Sequence, residues 1–237
     1  LCTNCDANID VNANVAGIEM RSSYTGTITQ NAGQMIIVGS SAWIQEGGTF
    51  IGGNFIIDLR KFSLTGGSFT STSGTLSVGY TWGSNQTDGF TVNGGTFVHN
   101  SGTVRFDGIE GYSGNRRTLM LSAPSGVTFN NMEVALTDTV SFGGYDGTYV
   151  EIEAGHKVTV VGDLTISDGW LRSGEIDLTQ GDLILTYTSA EVHAEGDGGT
   201  QDSTVVNFIS SSPQNYICDS GAIGPAIHVN STSTVSA

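Results

Sequence analysis

Apolar and polar residues alternate with a period of two along nearly the whole chain. Phe90-Thr91-Val92, Val104-Arg105-Phe106, Met132-Glu133-Val134-Ala135-Leu136, Val158-Thr159-Val160 and Ile176-Asp177-Leu178 are typical. Each run is short and ends at Gly, Asn, Asp or Ser. Short alternating runs between turn residues predict half-buried β-strands. No long stretch shows the helical spacing of apolar positions, so the expected fold is all-β.

Internal repetition decides how such strands are arranged. Gly66-Gly67-Ser68-Phe69-Thr70-Ser71-Thr72-Ser73-Gly74-Thr75-Leu76-Ser77-Val78 aligns with the segment from Gly94 to Phe106, 28 residues later. Gly47-Gly48-Thr49-Phe50 opens in the same way 19 residues before Gly66, and Gly162-Asp163-Leu164-Thr165-Ile166 returns as Gly181-Asp182-Leu183-Ile184-Leu185, again after 19. Spacings of this size match one coil of a solenoid rather than the strands of a sandwich. One coil cannot bury its apolar side alone, but coils stacked about 4.8 Å apart enclose a continuous core. Gly48, Gly67 and Gly95 are the expected corners, and Phe50, Phe69 and Phe97 the expected inward column. Thr and Ser between the apolar positions are expected to face water or to ladder along the outer sheet. The expectation is one domain over residues 1–237, a right-handed parallel β-solenoid of about ten irregular coils. Loops leaving the stack are expected near 108–118 and 193–203.

The same residues bear a family resemblance. Asn100-Ser101-Gly102-Thr103-Val104-Arg105-Phe106-Asp107-Gly108 resembles the turns of secreted bacterial β-solenoid repeat proteins. Phe129-Asn130-Asn131-Met132-Glu133-Val134 is similar to the short strand that follows in such arrays, and Val160-Val161-Gly162-Asp163-Leu164-Thr165-Ile166 to their coils. The resemblance implies an extracellular or cell-surface β-helix of the adhesin-like kind, and it brings no catalytic residues with it.

Charge narrows the partners. Eight Lys and Arg against 23 Asp and Glu give a net charge of −15. Such a field repels nucleic acid and anionic lipid. No apolar run approaches the roughly 20 residues of a membrane-spanning helix, so no membrane insertion is expected. With 34 Gly and 3 Pro among 237 residues, and apolar side chains in every segment, the composition disfavours helix without implying disorder. The first residue is Leu1, which reads as a processed form or an excised portion.

The ends of a solenoid expose unpaired backbone unless something covers them. Residues 1–20 (Ile9, Val11, Val15, Ile18) and 223–235 (Ile223, Ile227, Val229, Val235) continue the alternation instead of forming a helical cap. A slice of a longer solenoid and a subunit that adds head to tail to its own copies both satisfy that pattern. Cys2, Cys5 and Cys218 are candidates for disulfides, either locally between Cys2 and Cys5 or between Cys218 of one subunit and the N-terminal pair of the next.

Candidate chemistry is sparse. Cys2-x-x-Cys5 has no second pair, and His99, His156, His193 and His228 show no ligand spacing, so no metal or cofactor is expected. Asp163, Asp168, Glu175, Asp177 and Asp182 could converge as paired carboxylates on neighbouring coils. Glu195 to Asp202 reads as a flexible acidic turn. Trp43, Trp82, Trp170, Tyr80, Tyr112, Tyr145 and Tyr149 could stack sugars or simply anchor loops. A flat threonine ladder of the ice-binding kind would need a regular Thr-x-Thr in every coil, and Thr25-Gly26-Thr27-Ile28-Thr29 is the only obvious run, so that reading is not expected. Asn85 and Asn230 stand in glycosylation sequons. The resulting expectation is an extracellular structural protein without enzymatic activity. Its partners would be its own copies in a filament or adhesive fibre and, beyond them, a surface polysaccharide or host cell surface. The alternative is a carbohydrate-binding or carbohydrate-active β-helix.

Overall fold

The computed structural model describes residues 3–39, 41–79, 88–109, 117–137, 148–186, 204–218, 225–230 and 235–236. Among them there is no helix, and short strands form four sheets in which every pairing is parallel. Sheet 1 contains Ala7–Ile9, Thr27–Gln30, Thr49–Ile51, Ser68–Thr70 and Thr96–Val98. Sheet 2 contains Ala13–Val15, Ile36–Val38, Ile57–Leu59, Thr75–Val78, Thr103–Ile109, Asn131–Thr137, Leu164–Asp168, Leu183–Leu185, Gln214–Cys218 and Val235–Ser236. Sheet 3 contains Ile18–Met20, Trp43–Gln45, Phe62–Leu64, Asp88–Val92, Arg117–Ser122, Thr148–Ile152 and Trp170–Arg172. Sheet 4 contains Val127–Phe129, Lys157–Val160, Glu175–Leu178, Val205–Phe208 and Ala226–Val229.

Successive strands enter different sheets, and each sheet receives every third strand until Leu185, after which sheets 2 and 4 alternate. The last strand of sheet 1 touches the first strand of sheet 4, so these two share a side of the molecule. Residues 108–109 and 117–118, at the margins of one expected loop, belong to the strands Thr103–Ile109 and Arg117–Ser122; 110–116 and 193–203 lie outside the described residues.

Parallel pairing in register places like residues over like. In sheet 1, Ile28, Phe50, Phe69 and Phe97 form one inward column. In sheet 2, Ile36, Ile57, Leu76, Val104, Met132, Leu164 and Leu183 form another, and all seven are buried. Phe50 stacks on Phe69 at 4.9 Å between ring centroids, and Phe69 on Phe97 at 5.8 Å. Trp43, Phe62 and Phe90 of sheet 3 meet this column edge-on or stack on one another. Each buried ring contributes about 1.5–3 kcal/mol by leaving water, and well-oriented pairs add about 0.5–1.5.

The corners explain why the repeat carries glycine pairs. Gly48, Gly67 and Gly95 have φ of 65°, 74° and 67°, a region that L side chains rarely occupy. A Cβ on Gly67 would also strike the carbonyl oxygen of Gly48 on the rung beside it. Buried glutamines staple other corners. Gln45 donates from Nε2 to the Ser68 carbonyl at 2.9 Å and accepts from Trp43 Nε1 at 3.4 Å. Gln214 donates to the carbonyls of Gly181 at 2.7 Å and Leu178 at 3.2 Å. Both side chains are fully buried, and each amide meets its own hydrogen-bonding needs inside the core by donating to backbone carbonyls.

Candidate functional site

Outward residues are set by the same register that fixes the core. On sheet 4, Thr159, Asp177, Asn207 and His228 form one outward row, with Lys157 opposite Glu175 beside it. Lys157 Nζ lies 2.7 Å from Asp177 Oδ2 and 3.7 Å from Glu175 Oε2. The hydrogen bond to Asp177 raises the Lys157 ammonium above its usual range and keeps it charged. Asn207 Nδ2 donates to the other Asp177 oxygen at 3.0 Å. An open groove of about 500 Å³ follows this row, lined by Lys157, Asp177, Asn207, His228 and Asn230 together with Ile209 and Val229. Its lining offers hydrogen-bond donors and acceptors, one carboxylate and no aromatic ring suited to stacking a sugar. Asp177 already serves Lys157 and Asn207 with its two oxygens and so positions both neighbours.

A second polar network crosses sheet 2. Ser77 Oγ donates to Asp107 Oδ2 at 2.5 Å, and Arg105 Nε lies 3.6 Å from Asp107 and 3.8 Å from Glu133. Asp58, opposite Ser77 in register, has its carboxyl pushed up, first by lost hydration and then by the charge of Asp107.

The remaining candidate carboxylates do not meet as a pair for chemistry. Asn131 Oδ1 accepts the Asp163 N–H at 3.0 Å, Asp163 Oδ1 accepts the Asp182 N–H at 2.9 Å, and Asp182 Oδ1 accepts the Asn215 N–H at 2.8 Å. Asp163 and Asp182 therefore belong to a ladder in which each side chain satisfies the backbone of the next rung. Asp168 accepts from the N–H of its neighbour Gly169 at 2.9 Å. Among the described residues no three His, Cys, Asp or Glu side chains converge on a metal position.

The histidines take separate places. His99 Nδ1 accepts from the Ser101 N–H, His156 Nδ1 accepts from the Ala123 N–H and lies 3.5 Å from Glu153, and His228 lines the groove. Trp43 is fully buried and cannot present itself to a sugar. Arg172 stands 5.0 Å over the Tyr149 ring and donates to its hydroxyl, which fits anchoring. The side chains of Tyr80, Trp82, Tyr112, Tyr145 and Trp170, along with His193, Asn85 and the segment 195–202, lie outside what is described. Asn230 is exposed at the end of the last sheet 4 strand.

Cys5 is disulfide-bonded, and Cys2 lies outside the described residues. Cys218 is exposed and takes no part in a disulfide within the chain. Its thiol sits against Tyr216, whose hydroxyl is raised first by burial and then by its hydrogen bond to Cys218.

The outward Thr and Ser expected from the repeat line up as continuous rows on one surface. On the outer face of sheet 1, Thr27, Thr49, Ser68 and Thr96 form one row, and Thr29, Ile51, Thr70 and Val98 form the next. The single Thr-x-Thr run seen in the sequence is thus one rung of a ladder. The signal was present in the repeat alignment, since residues flanking the aligned phenylalanines must also align. No helix among the described residues is long and apolar enough to cross a membrane. No protein-family model, no curated protein and no solved structure matches this chain.

Proposed function

We propose that the chain is a right-handed parallel β-solenoid of about ten coils that serves as a structural element outside the cell, adding head to tail to its own copies in a surface filament or adhesive fibre. Right-handed connection is the rule when a chain returns to a parallel neighbour in the same sheet. One observation carries the assembly reading. Val15 and Val229 occupy core columns, paired with the buried Val38 and Phe208, yet they are 36% and 51% exposed on the outermost described rungs. A rung supplied by a second copy would cover them through the same parallel pairing that joins interior rungs. The acidic composition and Gly-, Ser- and Thr-rich strands support an extracellular setting, where charge keeps a rod dispersed until its ends meet.

The carbohydrate reading draws on the groove over sheet 4. It ranks second because that groove lacks an aromatic platform and holds a single carboxylate already engaged by Lys157 and Asn207. Electron microscopy and sedimentation of the purified chain over a wide concentration range test the first reading. Concentration-dependent rods that shorten or vanish in Val15→Lys support it. Dispersed short particles at every concentration overturn it.

A further inference from the structure

The two outward rows of sheet 1 form a lattice. Register is unbroken from Thr27 through Thr49 and Ser68 to Thr96, and from Thr29 through Ile51 and Thr70 to Val98. Neighbours within a row stand about 4.8 Å apart, and the rows about 6.7 Å apart, as strand geometry requires. All eight residues are short and end in hydroxyl or methyl groups. None is charged or aromatic, although the chain has a net charge of −15. Ile51 and Val98 are 42% and 41% exposed, so apolar groups face solvent among the hydroxyls. Beneath them the stacked Phe50, Phe69 and Phe97 hold the rungs together. Charge borders these eight residues on both sides, with Asp6, whose Oδ1 accepts the Thr27 N–H at 2.8 Å, at one end and Lys157, Glu175 and Asp177 of sheet 4 beyond the other.

We propose that this face binds ice. Its ligand must be neutral, since none of the eight residues offers an ionic partner and the bordering Asp6 carboxylate is engaged by the Thr27 N–H. The ligand must also be periodic, since the same short side chains recur at fixed intervals in two directions. A lattice of ordered water meets both conditions. Hydroxyls can donate to and accept from lattice waters, while exposed methyl groups favour cage-like ordering of the water between them. Seven of the eight residues are β-branched with stiff χ1, so little side-chain freedom is lost on contact. A charged group would orient its hydration shell radially and break the match. A polysaccharide would favour aromatic platforms, and the rings of this sheet point inward. The inference rests on the register of sheet 1 and is independent of end-to-end assembly.

The test is growth of ice from a dilute solution of the fluorescently labelled chain mixed with a differently labelled inert protein, with crystal shape followed under a microscope. The account expects the chain to enter the ice while the inert protein is excluded, and crystals to become faceted. Thr70→Lys, and Val98→Lys should the first variant fold poorly, should lose both effects with the thermal transition retained. Thr159→Lys on sheet 4 should keep both. Exclusion of the unaltered chain from ice overturns the proposal, as does incorporation of a folded Thr70→Lys variant at the same level. Binding to cellulose or chitin powder that Thr70→Lys abolishes, without entry into ice, assigns the face to a polysaccharide and overturns it too. Sedimentation in the same buffer reports assembly separately.

Discussion

Sheets 1 and 4 lie on the same side of the molecule and solve the same packing problem with different chemistry. A sheet 1 strand sends one large ring inward between two outward residues, as in Thr49-Phe50-Ile51. A sheet 4 strand sends two residues inward, both valines in Lys157-Val158-Thr159-Val160 and a valine with a phenylalanine in Val127–Phe129 and Val205–Phe208. The outer faces diverge in parallel. Sheet 1 is neutral and repetitive, whereas sheet 4 is charged and cross-linked by Lys157, Asp177 and Asn207. The comparison teaches that parallel register and the buried columns together hold the rungs, leaving each outer face to carry its own chemistry.

That claim can be broken by substitution. Phe69→Ala should have the largest effect, a loss of about 3–5 kcal/mol, because Phe69 touches Phe50, Phe97, Trp43 and Phe62. Val158→Ala should cost about 2 kcal/mol by comparison, since two methyl groups leave a smaller void. Denaturant titration of both variants checks the ordering, and equal losses would show that sheet 1 does not depend on its aromatic column.

Gln45→Leu comes next, at about 1–3 kcal/mol, because the Ser68 carbonyl and Trp43 Nε1 lose a buried partner. Thermal unfolding reads this loss. A variant as stable as the parent would mean that the corner staple contributes shape and no net free energy.

Sheet 4 should respond weakly. Lys157→Met should cost at most about 1 kcal/mol, since the Lys157 side chain is 48% exposed and solvent screens the pair. The raised Lys157 ammonium favours the folded state below its unfolded value and loses that effect as pH rises through the folded one, so the difference between variant and parent should disappear only in strong alkali.

Asp58→Asn should have the smallest effect and the opposite sign. Its carboxyl is raised above the ordinary 3.8, so the folded state holds the proton more tightly and loses stability as pH rises through that range. The Asn variant should gain up to about 0.5 kcal/mol at neutral pH and nothing in acid, which melting curves at the two conditions will show.

Strand positions and register were legible because short alternating runs and the Gly-Gly-x-Phe corners recur. Offsets of 19 and 28 in the sequence coincide with the pairing of Phe50 to Phe69 and Phe69 to Phe97. The threonine rows were not legible as a regular motif, because rungs of unequal length scatter Thr27, Thr49, Ser68 and Thr96 along the chain. Gln45 and Gln214 escaped notice since glutamine is usually a surface residue. Among the groove residues, Asp177 and His228 stood out as titratable groups, whereas Asn207 acquires meaning only when pairing brings it to the Asp177 carboxylate.

Cross-linking across adjacent rungs tests the stacking most directly. In a Cys218→Ser background, Thr49→Cys paired with Ser68→Cys places two thiols on residues in direct register, with Cα atoms about 4.8 Å apart and within disulfide reach. Pairing Thr49→Cys with Thr70→Cys offsets the partner by two residues, to about 8 Å, beyond that reach. Parallel stacking predicts rapid intramolecular oxidation of the first pair and none of the second. Oxidation of the second pair, or of neither, would contradict it.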